Sequence, residues 1–227
     1  MGHVNGSDCM ALAYMNSGGV RQMIGYTVNT WYGYAGWGCL DYFLEQPGRY
    51  NLAEAFFANN AALVHRLQQY FPELLTENLD LDQPASPAIK LSPAALQAGL
   101  TAQDGFGLLY DRDAVALYGD PGWDARPTAG PLALEQSLTR DQSTDTWTLK
   151  ITPRLGAGSF GAVDQNGSQR GGRPIVELLP SRIERPRVLE GQDFQPVITA
   201  NFILVSNPGK CDPAKPLRIV FQAKLKL

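Results

Sequence analysis

The sequence predicts an α/β domain followed by an all-β domain. Two segments carry the first part: residues 9–28 read as a short helix and then a buried strand, and 51–71 as a long amphipathic helix. One carries the second, since residues 217–227 alternate apolar and polar side chains with period two. Between them, GDPGWDARPTAGP at 119–131 is dense in turn formers, and it divides the chain into domains at 1–126 and 127–227.

A chain of 227 residues, 44% hydrophobic and 18% charged, is long enough to bury a real core. Its formal net charge is -3, and its Lys and Arg read as scattered, so no nucleic-acid partner is expected. No apolar run reaches the ~18 residues of a membrane span. The N-terminus has neither a basic region nor an apolar one of the kind a signal peptide needs, which fits either a cytoplasmic protein or a chain that begins inside a longer precursor.

Taken in order, Ser7 or Asp8 can cap a helix over 9–15, which stops at Gly18-Gly19. Residues 20–28 (VRQMIGYTV) follow as the strand. Residues 31–38 (WYGYAGWG) alternate aromatics with glycine. Packing a loop down is the ordinary use of such a cluster, and forming the wall of a substrate pocket is the functional one. Residues 39–45 read as helical. Asn51 and Glu54 have the spacing of a capping box, and Ala53, Phe56, Phe57, Asn60, Val64, Leu67 and Phe71 form the expected apolar stripe, with His65 on the exposed side. Residues 73–92 read as an irregular acidic connection, and Ser92-Pro93 opens a short helix. Residues 106–118 read as two short strands about a turn at 111–113. In the second domain, strands are expected at 147–152, 174–179, 197–205 and 217–227, making a small β-sandwich whose last strand turns lysines outward and guards an edge.

Few residues announce chemistry. Gly156 to Gly161 match GxGxxG, but no helix pattern follows, so a hairpin loop is expected in place of a nucleotide site. Two histidines are a short supply for zinc, the run Glu77, Asp80, Asp82 lacks a calcium-loop pattern, and no cofactor or metal is implied. Cys9, Cys39 and Cys211 show no metal-like spacing; Cys9 and Cys39 could pair, or stay as thiols. His3 and Cys9 are the one thiol–imidazole pair near in sequence, and a helix N-terminus lowers a thiol's pKa. A buried packing role for Cys9 is the ordinary alternative.

Val4-Asn5-Gly6, the helix from Cys9 to Met15, the strand Met23 to Thr27 and Trp31 resemble in type and order the elements that follow the nucleophile in gingipain-type cysteine peptidases, which share the caspase-like fold. Tyr118-Gly119-Asp120-Pro121 resembles the Gly-Asp-Pro that closes that family's catalytic domain, after which an immunoglobulin-like sandwich follows. The resemblance implies a partial caspase-like parallel sheet with flanking helices. It also implies a peptide or protein substrate in the intact parent, and secretion or residence at the cell envelope. By this match Cys9 is a helix cysteine and not the nucleophile. The dyad falls at about His3 or upstream of Met1, so this chain alone is expected to be inactive. Trp31 lines the specificity pocket, with Tyr32 and Tyr34 beside it. A non-catalytic binding or structural module with an aromatic recognition loop is the alternative.

Overall fold

The computed structural model describes residues 9–28, 41–81, 87–155, 159–160, 173–209, 212 and 215–226. The fold is mixed, with helices and several antiparallel sheets. The chain divides into two compact units, and the boundary falls between Pro131 and Leu132.

The first unit opens with helix α1 (Met10–Asn16) and strand β1 (Gln22–Tyr26). Cys9 occupies the N-cap position of α1 and makes no side-chain capping hydrogen bond there, so the helix starts one residue or more after the expected Ser7 or Asp8 cap allows. Helices α2 (Asp41–Glu45), α3 (Leu52–Tyr70), α4 (Pro93–Gln97) and α5 (Ala102–Ala114) follow, and strand β2 (Val115–Gly119) closes the set. The capping box of α3 forms: Asn51 N donates to Glu54 Oε2 and Glu54 N to Asn51 Oδ1, both at 2.8 Å. Ser92 caps α4, its hydroxyl accepting from Ala95 N at 3.1 Å.

The buried face of α3 is not the expected stripe. Ala55, Ala58, Asn59, Ala62, Leu63, Arg66 and Leu67 are buried, whereas Phe57 and Val64 are exposed. Three alanines on one face let neighbouring helices approach closely, and this outweighs the larger side chains a few residues away. His65 turns with that face and is half-buried, not a surface residue.

Residues 106–114 are helical, against the two strands expected there. A second capping box decides it: Thr101 N donates to Asp104 Oδ2 at 2.7 Å, and Asp104 N returns to Thr101 Oγ1 at 3.4 Å. All residues from Asp104 to Asp111 are buried, so α5 carries no amphipathic period to read. Gly105 is required by packing, because a Cβ there would lie 2.9 Å from the Phe71 ring.

β1 and β2 pair antiparallel, from Gln22 opposite Gly119 to Tyr26 opposite Val115. No parallel ladder occurs among the described residues, which corrects the expectation of a parallel sheet for what these strands form. The reason is local. Thr27 N donates to Ala114 O at 2.7 Å, which places the end of α5 at the end of β1, and β2 can only run back along it. Unit one extends to Pro131 because the turn-rich segment folds onto it: Leu52 N donates to Ala125 O at 3.0 Å, and Arg126 Nη1 to Arg49 O at 2.6 Å.

The second unit has two antiparallel sheets. One orders β3 (Leu134–Asp141), β4 (Thr146–Pro153), β9 (Leu217–Leu225) and β6 (Ile183–Glu190); the other orders β5 (Ile175–Leu178), β8 (Phe202–Val205) and β7 (Val197–Ile198). Both contribute to one core, with Trp147, Leu149, Ile151, Ile219 and Phe221 from the first and Ile175, Ile203 and Val205 from the second. Trp147 stands opposite Phe221 with stacked rings 6.1 Å apart, and its Nε1–H donates to Ala223 O. The alternation of β9 is as expected, but β9 is an inner strand, so its lysines guard no edge. β3 and β6 are strands beyond the four expected in this domain.

Candidate functional site

Of the residues singled out from sequence, His3, Trp31, Tyr32 and Tyr34 lie outside the described residues, as do Cys39 and Cys211. Cys9 is described. It is 5% exposed, in extended conformation (φ -74, ψ 118) just ahead of α1, and its carbonyl accepts from Ala13 N at 2.9 Å. Its sulfur lies in the field of Tyr118 on β2: burial first, then the neighbouring Cys9, pushes the Tyr118 phenol up.

Cys9 and Tyr118 thus frame a small assembly of α1, β1 and β2. Its far end is anchored on α5. Thr27 Oγ1 donates to Ala114 O at 3.0 Å, and Tyr26 Oη donates to the buried Asp111 Oδ1 at 2.7 Å. Tyr26 and Phe106 both pack against Tyr110, with centroids 6.2 and 6.1 Å away. These contacts fix the chain up to Val28, which is buried, at the point where the aromatic stretch begins in sequence. At the near end, Gly119 has φ +104, and Gln22 Nε2 donates to Asp120 O at 2.5 Å.

The helices α3 and α5 carry buried polar side chains that no local pattern announces: Arg66 (2% exposed), Asp104 (4%) and Asp111 (2%). Arg66 lies 4.6 Å from the Tyr70 ring centroid. Burial pulls the Arg66 guanidinium below its ordinary value, and Tyr70, Asp104 and Tyr42 push it back up. Tyr42 is pushed well above the usual phenol range, by burial first and then by Tyr50 and Glu45, with Arg66 opposing. A cation and a carboxylate buried among phenols specify one arrangement of helices and bring no reacting group to a surface. The sequence signal was a helix face read one position off, since Arg66 lies on the alanine-rich face of α3.

Among the described residues no group of three or more His, Cys, Asp and Glu is placed to hold a metal ion. Nor is any helix among them long and apolar enough to cross a membrane. Within the glycine-rich run, Ser159 is a turn residue: its hydroxyl accepts from Arg154 N at 3.1 Å and Leu155 N at 2.8 Å. Phe160 next to it enters the core of the second unit. Searches against protein-family models, curated proteins and solved structures found no match to this chain.

Proposed function

We propose that this chain is the C-terminal portion of a gingipain-type cysteine endopeptidase, and that its Cys9 and His3 are not the catalytic dyad. One observation carries the reading. Two of the segments that resemble the family, Met23 to Thr27 and Tyr118 to Pro121, meet at the β1–β2 ladder, with Met23 opposite Tyr118. Gln22, just ahead of the first of these segments, donates to Asp120 in the second across 98 positions and ties the two together. Two antiparallel sheets of four and three strands around a shared core support an immunoglobulin-like module as the second part.

In the intact parent, a thiolate attacks the scissile carbonyl of a peptide or protein substrate, and a histidine protonates the leaving amine. The aromatic residues Trp31, Tyr32 and Tyr34 serve the substrate pocket. Cys9, which is buried, serves packing.

The test is turnover. The 227-residue chain is expected to leave fluorogenic peptide substrates uncut, and the reading frame extended upstream of Met1 is expected to cut them through an upstream cysteine. Turnover by the 227-residue chain that disappears in Cys9→Ala overturns the reading. A non-catalytic binding or structural module is the second reading, favoured by the burial of Cys9. Lack of turnover from the extended frame selects it.

A further inference from the structure

Charge is divided unevenly along the chain. Residues 1–131 hold 6 Lys and Arg against 13 Asp and Glu, whereas residues 132–227 hold 13 against 9. Within the second unit the fold concentrates this excess. The paired end of β6 and β9 brings together Arg182, Arg185, Arg187, Lys224 and Lys226, all exposed. The register sets Glu184 opposite Lys224 and Arg187 opposite Gln222, and Lys226 N donates to Arg182 O at 2.8 Å. Glu184 is the one carboxylate within this group of strand residues.

The other arginines of the same sheet are answered. Arg140 meets Asp145 at 2.6 Å, Arg154 meets Glu135, and Arg218 meets Glu190. Among the described residues, no ion pair reaches the five cations at the β6–β9 end. Protection of an edge strand accounts for the bulges and Pro186 of β6. It does not account for Lys224 on the inner strand β9, nor for Lys226 just past its end. Arg185 adds an unusual backbone: φ is +53 at the bulge between Glu184 and Arg187, a conformation that costs a non-glycine residue and re-aims its side chain.

We propose that this end of the four-stranded sheet binds an acidic polypeptide segment in extended conformation. Carboxylate is the anion that the same sheet already pairs with its arginines, and it suits the guanidinium fork. Lys224, on β9, and Lys226, just past its end and still paired through its N–H to Arg182 O, stand two residues apart, about 6.6 Å in extended chain, and an extended peptide with acids at alternate positions repeats at the same distance. Exposed pairs of this kind give selectivity and encounter rate more than tight affinity, and salt weakens them. The proposal stands apart from the peptidase reading.

A fluorescent peptide of alternating Glu and Ser is titrated with the full 227-residue chain at about 20 mM salt, where screening is weak. Wild type is expected to bind, with affinity falling as salt rises. Charge reversal in Arg182→Glu/Arg187→Glu/Lys224→Glu is expected to weaken binding about tenfold or more. Reversal of the exposed Lys90 in the first unit, Lys90→Glu, is expected to leave it unchanged. If the triple reversal does not fold, Arg187→Gln/Lys224→Gln gives the same comparison through a smaller loss. Absence of binding by wild type, equal binding by the folded variants, or tighter binding of heparin or duplex DNA than of the acidic peptide each overturn the proposal.

Discussion

A Cβ added to Gly119 would lie 2.2 Å from the carbonyl oxygen of Arg21, so β2 and the start of β1 close against each other at a position that only glycine fills. Its φ of +104 points the same way. Gly119→Ala therefore introduces both strain and a backbone clash. The expected loss is about 2–4 kcal/mol in the urea unfolding of the first unit. The folding of the second unit, followed through Trp147 fluorescence in a chain whose other tryptophans are changed to Phe, is expected to keep its midpoint.

Arg112 is the clamp of the acidic connection. It donates to the carbonyls of Leu74 at 2.9 Å, Leu75 at 3.2 Å and Glu77, and holds Asp113 at 2.7 Å, while Asp113 accepts from Leu79 N at 3.1 Å. A single ammonium cannot reach those acceptors as a planar fork does. Arg112→Lys is expected to cost about 1.5–3 kcal/mol, and to speed proteolysis between residues 75 and 81, read by limited digestion and mass spectrometry.

His65 gives a pH dependence of defined sign. Burial, then Arg66, lowers its pKa from the model-peptide value of 6.5, so the unfolded chain takes up a proton at a higher pH than the folded one. Its contribution favours the folded state above pH 6.5, and falls away as pH drops from 6.5 toward the lowered value. The difference in stability between wild type and His65→Gln is expected to shrink over that window. Paired urea melts from pH 7.5 to 5 measure it, and an unchanged difference refutes the assignment.

Phe221 sits at the centre of the second core, fully buried and stacked on Trp147. Phe221→Ala removes the ring and leaves a void between the two sheets, with an expected loss of about 3–5 kcal/mol. Differential scanning calorimetry is expected to show the transition of the second unit moving down while that of the first stays in place.

Period and caps made much of the architecture legible. Asn51 with Glu54, Ser92 with Pro93 and the alternation from Leu217 to Leu225 are local patterns, and each formed as its residues dictate. Where local pattern was silent, the reading failed. α5 is buried on every side from Asp104 to Asp111, so its middle has no polar face to mark it as a helix, and its Thr101–Asp104 box is the available clue. α3 offers two faces of helical spacing, and the choice between them was made by how closely its alanines pack.

The sequence by itself determined which segments are helices by cap and which are strands by alternation, because those signals act within a few residues. Tertiary structure alone decided that β1 and β2 run antiparallel, since the end of α5 had first to meet Thr27. It also decided that Cys9 is buried, and that cations some forty positions apart gather at one end of a sheet. Each of these depends on which distant segments the packing of the core brings together, and no local run of residues encodes that.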